Sequence, residues 1–217
     1  MRLSWLPLFL LVPAAFAQTP AVAPAFEGTM HATMHLSGTT VPMTYQLKGH
    51  HARIDMEIPP TATTVLIDSD KGEQIVLVPQ LKAYMSHKVT VPLTAALAHP
   101  PTLTNLSRSE TVAGHVCEDY HLDSEKYEGT ICLAKDLPAA AFGNGFGMLP
   151  ANSALDTLRT AGMPLKVDLH IRATNGGKAD ENVTMEVTKI EAQPVEDSAF
   201  VIPDGWHELA SPFTHQK

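Results

Sequence analysis

Hydrophobic and polar residues alternate along most of the chain. Met30, Ala32, Met34 and Leu36 share one face, with Thr29, His31, Thr33 and His35 on the other. After Ser37-Gly38 the face is continued by Val41, Met43, Tyr45 and Leu47. After a turn over 49–51 it passes to Ala52, Ile54, Met56 and Ile58, opposite Arg53, Asp55 and Glu57. Period-two runs between turn signals predict half-buried antiparallel strands. Beyond Pro59-Pro60, apolar runs over 64–67, 75–78 and 81–85 predict a three-stranded meander with its middle strand buried on both faces. Residues 91–104 break the pattern with prolines and read as a short helix or a surface crossing. A helix is expected from Ser153, with Asp156 completing a weak capping box and Ala154, Leu155, Leu158 and Ala161 at helical spacing; Gly162 and Pro164 stop it. Met163, Leu165, Val167, Leu169 and Ile171 then alternate with Lys166, Asp168, His170 and Arg172. A turn at Asn175-Gly176-Gly177 returns the chain through Val183, Met185 and Val187.

About ten strands and one or two short helices follow, with no regular strand–helix alternation, which disfavours a parallel α/β sheet. The expected fold is mainly β: a strongly curved antiparallel sheet or half-open β-barrel with one or two short covering helices. A flat open sheet of that width tends to curl or split. The apolar face of a curled sheet is the natural place for a ligand.

The stretch 112–135 carries the only two cysteines, Cys117 and Cys132, in two alternating runs joined by Asp123-Ser124-Glu125-Lys126. Placing the cysteines opposite each other predicts a hairpin with a four-residue loop, Tyr120 facing Gly129, Glu118 facing Ile131 and Val116 facing Leu133. Directly opposed α-carbons lie about 4.5–5.5 Å apart, within disulfide range. In this register Cys117, Asp119, His121 and Cys132 take the polar, solvated face. Val116, Glu118, Tyr120, Leu122, Tyr127, Ile131 and Leu133 take the other and are candidates to line a ligand cavity. Glu118, the one charge among them, is placed either to read a ligand head group or in water at the sheet rim.

The N-terminus reads as an address. Met1-Arg2, an apolar core and Ala15-Phe16-Ala17 form a secretory signal peptide over 1–17. A linker over 18–25, one β domain over 26–209 and a polar tail over 210–217 complete the expected organisation. Cleavage would take one arginine and no acid from 15 basic and 23 acidic side chains, leaving a net charge of −9. That balance argues against nucleic acid or an anionic membrane surface as partner. Two cysteines in an exported chain read first as one disulfide, so the expected compartment is the periplasm or the exterior.

Candidate chemistry is sparse. His31 and His35 share a face, but four strand residues separate them by roughly 13 Å, too far to chelate as a pair. The row His115, Cys117, Asp119, His121 offers neighbouring ligands, yet Cys117 has a disulfide partner and His121 a facing carboxylate in Glu128. No metal and no cofactor are expected. Gly143, Gly145 and Gly147 lack the spacing and βαβ setting of a dinucleotide loop. There is no Gly-x-Ser-x-Gly elbow and no His-Glu-x-x-His motif, so no catalytic residue is assigned. Phe142, Phe146, Met148 and Leu149, on a glycine-rich backbone, form either a core plug or a lid.

Several short motifs, Val112-Ala113-Gly114-His115-Val116-Cys117-Glu118-Asp119-Tyr120, Ile131-Cys132-Leu133-Ala134, Gly162-Met163-Pro164-Leu165 and the run from Phe200 to Trp206, resemble an exported bacterial domain family related to the LolA/LppX-like carriers of lipoproteins and lipids. The resemblance implies a LolA-like half-open barrel whose concave side holds acyl chains. The expectation is a non-catalytic, exported protein binding a hydrophobic small molecule or a lipoprotein. An envelope protein-interaction or stress-sensing module is the alternative, and a periplasmic metal-binding protein a weaker one.

Overall fold

The structure, a computed structural model, describes residues 26–58, 61–88, 102–125, 127–137, 162–172 and 180–209. The alternation becomes β1 (Gly28–Leu36), β2 (Thr39–Lys48), β3 (His51–Ile58), β4 (Thr61–Asp68), β5 (Glu73–Val78) and β6 (Ala83–Lys88). A second series follows: β7 (Thr102–Val112), β8 (His115–Asp123), β9 (Tyr127–Ala134), β10 (Met163–Ile171) and β11 (Glu181–Glu191), with a short β12 (His207–Glu208) at the end. All twelve lie in one sheet that does not close, in the order β12-β6-β5-β4-β3-β2-β1-β11-β10-β9-β8-β7. Two antiparallel meanders are therefore welded at the centre, where β1 pairs with β11. The helical pieces among the described residues are two 3₁₀ turns, Pro79–Leu81 and Asp197–Phe200. The helix expected from Ser153, the Phe142–Leu149 plug or lid, the signal peptide and the linker lie outside the described residues.

Turn chemistry sets the hairpins. Ser37 and Gly38, with φ of 48° and 76°, and Ala113 and Gly114, with φ of 49° and 87°, join their strands through two residues of left-handed backbone. Two consecutive positive-φ residues match the right-handed twist of the flanking strands. Gly129 serves packing instead. A Cβ added there would stand 2.0 Å from the Asp168 carbonyl oxygen, so only glycine lets β9 approach β10.

Inward positions merge into one apolar face. It runs through Met30, Ala32 and Met34, then Val41, Met43, Tyr45 and Leu47, then Ile54 and Val65, and on the other side of β1 through Val187, Met185, Val183, Leu165, Val167, Ile131 and Leu133. Six of the nine methionines of the chain (Met30, Met34, Met43, Met56, Met163 and Met185) belong to this cluster or pack against it.

Three expectations need correcting. The strand buried on both faces is β4, where Thr64, Val65, Leu66 and Ile67 are all buried, while β5 is mostly half-exposed. β4 lies deeper in the sheet, and the C-terminal segment runs along its outer face: Arg53, opposite Leu66, donates to the Ala199 carbonyl at 3.2 Å. Second, most of β7 was not foreseen as a strand. Its sequence is polar because it is an edge strand, and three residues around Ser107 (φ 55°) bulge where Asn105 pairs with Tyr120 and Ser109 with Glu118.

The third correction concerns the hairpin register. Glu118 faces Leu133, Asp119 faces Cys132, Tyr120 faces Ile131 and Leu122 faces Gly129, a slip of two residues from the expected pairing. The connection shortens to two residues because Ser124 closes it. Its N–H donates to the Tyr127 carbonyl at 2.8 Å, and the Tyr127 N–H donates to Ser124 Oγ at 3.1 Å. Arg172 at the end of β10 clamps the same turn through Asp123, Glu128 and the Ser124 carbonyl.

Candidate functional site

The two-residue slip leaves each side chain on its expected face, because side-chain direction has period two. Cys117 and Cys132 are bonded, with α-carbons 5.3 Å apart, but they lie diagonally rather than opposite. Of the cavity candidates, Leu122, Tyr127, Ile131 and Leu133 are buried in the apolar cluster, and Tyr120 packs against it. Val116 does not join them: it is 63% exposed at the open end of β8.

Glu118 sits at the rim. Its carboxylate accepts from Lys135 Nζ at 2.8 Å, from the Tyr120 hydroxyl at 3.0 Å and from Asn105 at 3.1 Å. The Lys135 hydrogen bond, followed by that of Tyr120, holds its carboxyl below the usual carboxylate range. With its oxygens committed to three protein donors, Glu118 is a brace between β7, β8 and the chain after β9.

The disulfide face holds what the alternation did not reveal. Expected in water, Cys117 and Cys132 are buried. They are covered because the β7–β11 end of the sheet rolls over this face. Cα atoms of β7 come within 8 Å of β11 although three strands separate them. Lys166 on β10 reaches Glu110 on β7 at 2.8 Å across two intervening strands. That hydrogen bond, opposed by partial desolvation, raises the Lys166 pKa.

Inside the roll lies a polar cleft of about 370 Å³, lined by Arg108, Ser109, Glu110, Asp119, Thr130, Cys132, Lys166 and Asp168. Asp119 is only 9% exposed. Arg108 Nε stands 3.4 Å from Asp119 Oδ2, while Asp119 Oδ1 is buried without a hydrogen-bond partner among the described residues. Sequence reading placed Asp119 on a solvated face; the bulge in β7 that brings Arg108 over it carries no period-two signature.

Metal ligands do not assemble as a histidine row. His115 pairs with Asp136 at 2.8 Å, and His121 faces Thr130 rather than Glu128. Among the described residues, the one group of three potential metal ligands is Glu110 with Cys117 and Cys132, and those two sulfurs are bonded to each other. A second cleft of about 320 Å³, lined by Thr44, Asp55, Glu57, Thr63 and Thr64 among others, lies on β2–β4. There Asp55 is already held by Arg53 and Thr64.

One open sheet, antiparallel from β6 to β7, apolar on one face and rolled over a disulfide at one end, defines the class as a single-sheet β domain. The chain belongs to the family described as Domain of unknown function (DUF4412), whose model matches residues 26–206. A search of the curated proteins found no match. Among solved structures the chain is similar to PNGF-II, at 10% identity and a TM-score of 0.49, over 85% of this chain and 30% of that one. It is also similar to an uncharacterized conserved protein from Thermus thermophilus, at 8% identity and a TM-score of 0.49, over 84% of this chain and 90% of the other. A third likeness is to MucB in complex with MucA(peri), at 12% identity and a TM-score of 0.42, over 80% of this chain and 53% of that one. The chain thus spans under a third of the PNGF-II chain and about half of the MucB chain.

Proposed function

We propose that this chain is an exported, non-catalytic binding protein that holds a hydrophobic ligand, an acyl chain, a lipid or a lipoprotein, against the apolar face of its curved sheet. The observation that carries the reading is the continuity of that face across β1–β4 and β8–β11, with six methionines on or against it. Thioether side chains are unbranched and polarisable, so they re-pack around apolar partners of different shape. These side chains are buried, so a ligand reaches them only by displacing part of their cover. Export is supported by the signal-like N-terminus together with the paired cysteines, which persist in oxidising compartments. Binding without chemistry is supported by ion pairs such as Lys48–Asp197, Arg172–Glu128 and Lys135–Glu118, which brace separate segments against one another.

The test is native mass spectrometry, with organic extraction, of the protein purified from the envelope in which it is made. Co-purifying lipid or lipoprotein is the expected result. Protein recovered free of lipid, or carrying a stoichiometric metal or a protein subunit in its place, overturns the reading.

A further inference from the structure

We propose that the polar cleft inside the rolled β7–β10 end is a second binding site, on the face opposite the apolar one, for a small organic ammonium compound. Charge points to a cation. Two basic side chains, Arg108 and Lys166, face three carboxylates, Glu110, Asp119 and Asp168. Both cations are already engaged, Arg108 with Asp119 and Lys166 with Glu110.

What remains is acceptor capacity. Among the described residues, Asp119 Oδ1 is buried without a hydrogen-bond partner, and Asp168 has neither a hydrogen-bond nor an ion-pair partner. A buried carboxylate oxygen without a donor is costly, and a ligand N–H of positive charge is the group that best relieves it. Thr130, directly opposite Asp168 on β9, adds a hydroxyl to the same wall.

Size and geometry separate an ammonium from a metal ion. Hard divalent cations need six or more oxygens converging at short distance. Among the described residues, neither Asp119 nor Asp168 belongs to any convergent group of three ligands. A cleft of about 370 Å³ instead admits a molecule of several heavy atoms that can touch both carboxylates.

The experiment titrates the mature protein with putrescine and, separately, with inorganic sulfate, following binding by calorimetry and by backbone amide shifts. Putrescine should bind saturably, with shifts centred on Arg108, Asp119, Thr130 and Asp168. Asp168→Asn, a change at an exposed position that leaves the fold intact, should weaken binding about tenfold or more. Asp204→Asn, the same charge change on a distant exposed turn, should leave it unchanged. The proposal falls if putrescine does not saturate, if both variants weaken it equally through the general acidity of the chain, or if sulfate occupies the cleft instead. The apolar face plays no part in these readouts, so this site and the hydrophobic carrier reading stand or fall separately.

Discussion

At the scale of single residues, Tyr45 shows how much an alternating pattern conveys and where it stops. Its inward direction follows from period two. Its neighbours do not: the hydroxyl donates to the sulfurs of Met43 and of Met185, each at 3.6 Å, and Met185 arrives from β11, 140 residues away. Burial pushes the phenol far above its usual value near 10. A group whose folded pKa is raised contributes stability that is intact below the unfolded value and is lost as pH climbs from there through the raised folded one. Unfolding free energy measured in urea should therefore fall as pH passes about 10. Lys48, Lys71, Lys135 and Lys166 have raised values too and lose stability in the same direction. The difference between wild type and Tyr45→Phe isolates the phenol. That variant should cost about 0.5–1.5 kcal/mol near neutrality, where weak sulfur acceptors are left behind, and should show a shallower alkaline decline. An equal decline in both proteins would mean that Tyr45 is not sealed from solvent.

At the scale of elements, the hairpin β8–β9 was legible as a stapled pair and misread in its pairing. The cysteines do not stand opposite each other: the bond is diagonal, and the turn, not the staple, sets the register. A slip of two residues preserves faces, so Leu122, Tyr127, Ile131 and Leu133 stay inward while every partner changes. Val116 failed for another reason: at the end of β8 the face it points to is no longer covered. Edge strand β7 was illegible because an edge needs no apolar alternation, and the roll that carries it toward β11 is what covers the disulfide. That roof makes the staple's contribution testable. Replacing both cysteines by alanine opens a loop with a sequence separation of 15. It should lower unfolding stability by about 3 kcal/mol in the chain-entropy model. Because the sulfurs are buried in the rolled end of the sheet, the loss should be accompanied by faster amide exchange at Asp119 and Thr130 than in β2. Uniform acceleration across the sheet would assign the disulfide to global stability alone.

For the whole molecule, a twelve-stranded sheet that does not close has two edges to protect from pairing with other chains. One edge is managed by the bulged, polar β7. The other is managed by the C-terminal segment, which leaves β11 at the centre of the sheet and ends on β6, having passed β1 to β5. No alternation announces such a strap, since its hold is polar. The Val195 N–H donates to Glu27 at 2.9 Å, and Lys48 Nζ reaches both the Val195 carbonyl at 2.9 Å and Asp197 at 2.6 Å. Phe200 lies on His51 with ring centroids 5.8 Å apart. The strap then closes as β12, parallel to β6, with the His207 N–H on the Lys82 carbonyl and the Leu209 N–H on that of Tyr84. Each exposed ion pair is weak alone, so the strap holds by the series, and Lys48 is its hub. The Lys48 hydrogen bond depresses the Asp197 carboxyl. Its contribution is therefore present above the ordinary aspartate range and is lost as pH falls through the lowered value. In wild type, amide exchange at Ala199 and Leu209, normalised for the intrinsic pH effect, should accelerate on acidification while β9 and β10 stay protected. Lys48→Met should show that acceleration already at neutral pH, with little further response to acid. If Leu209 remains protected in the variant, β12 docks on β6 without help from the strap, and the edge is closed by its two backbone bonds alone.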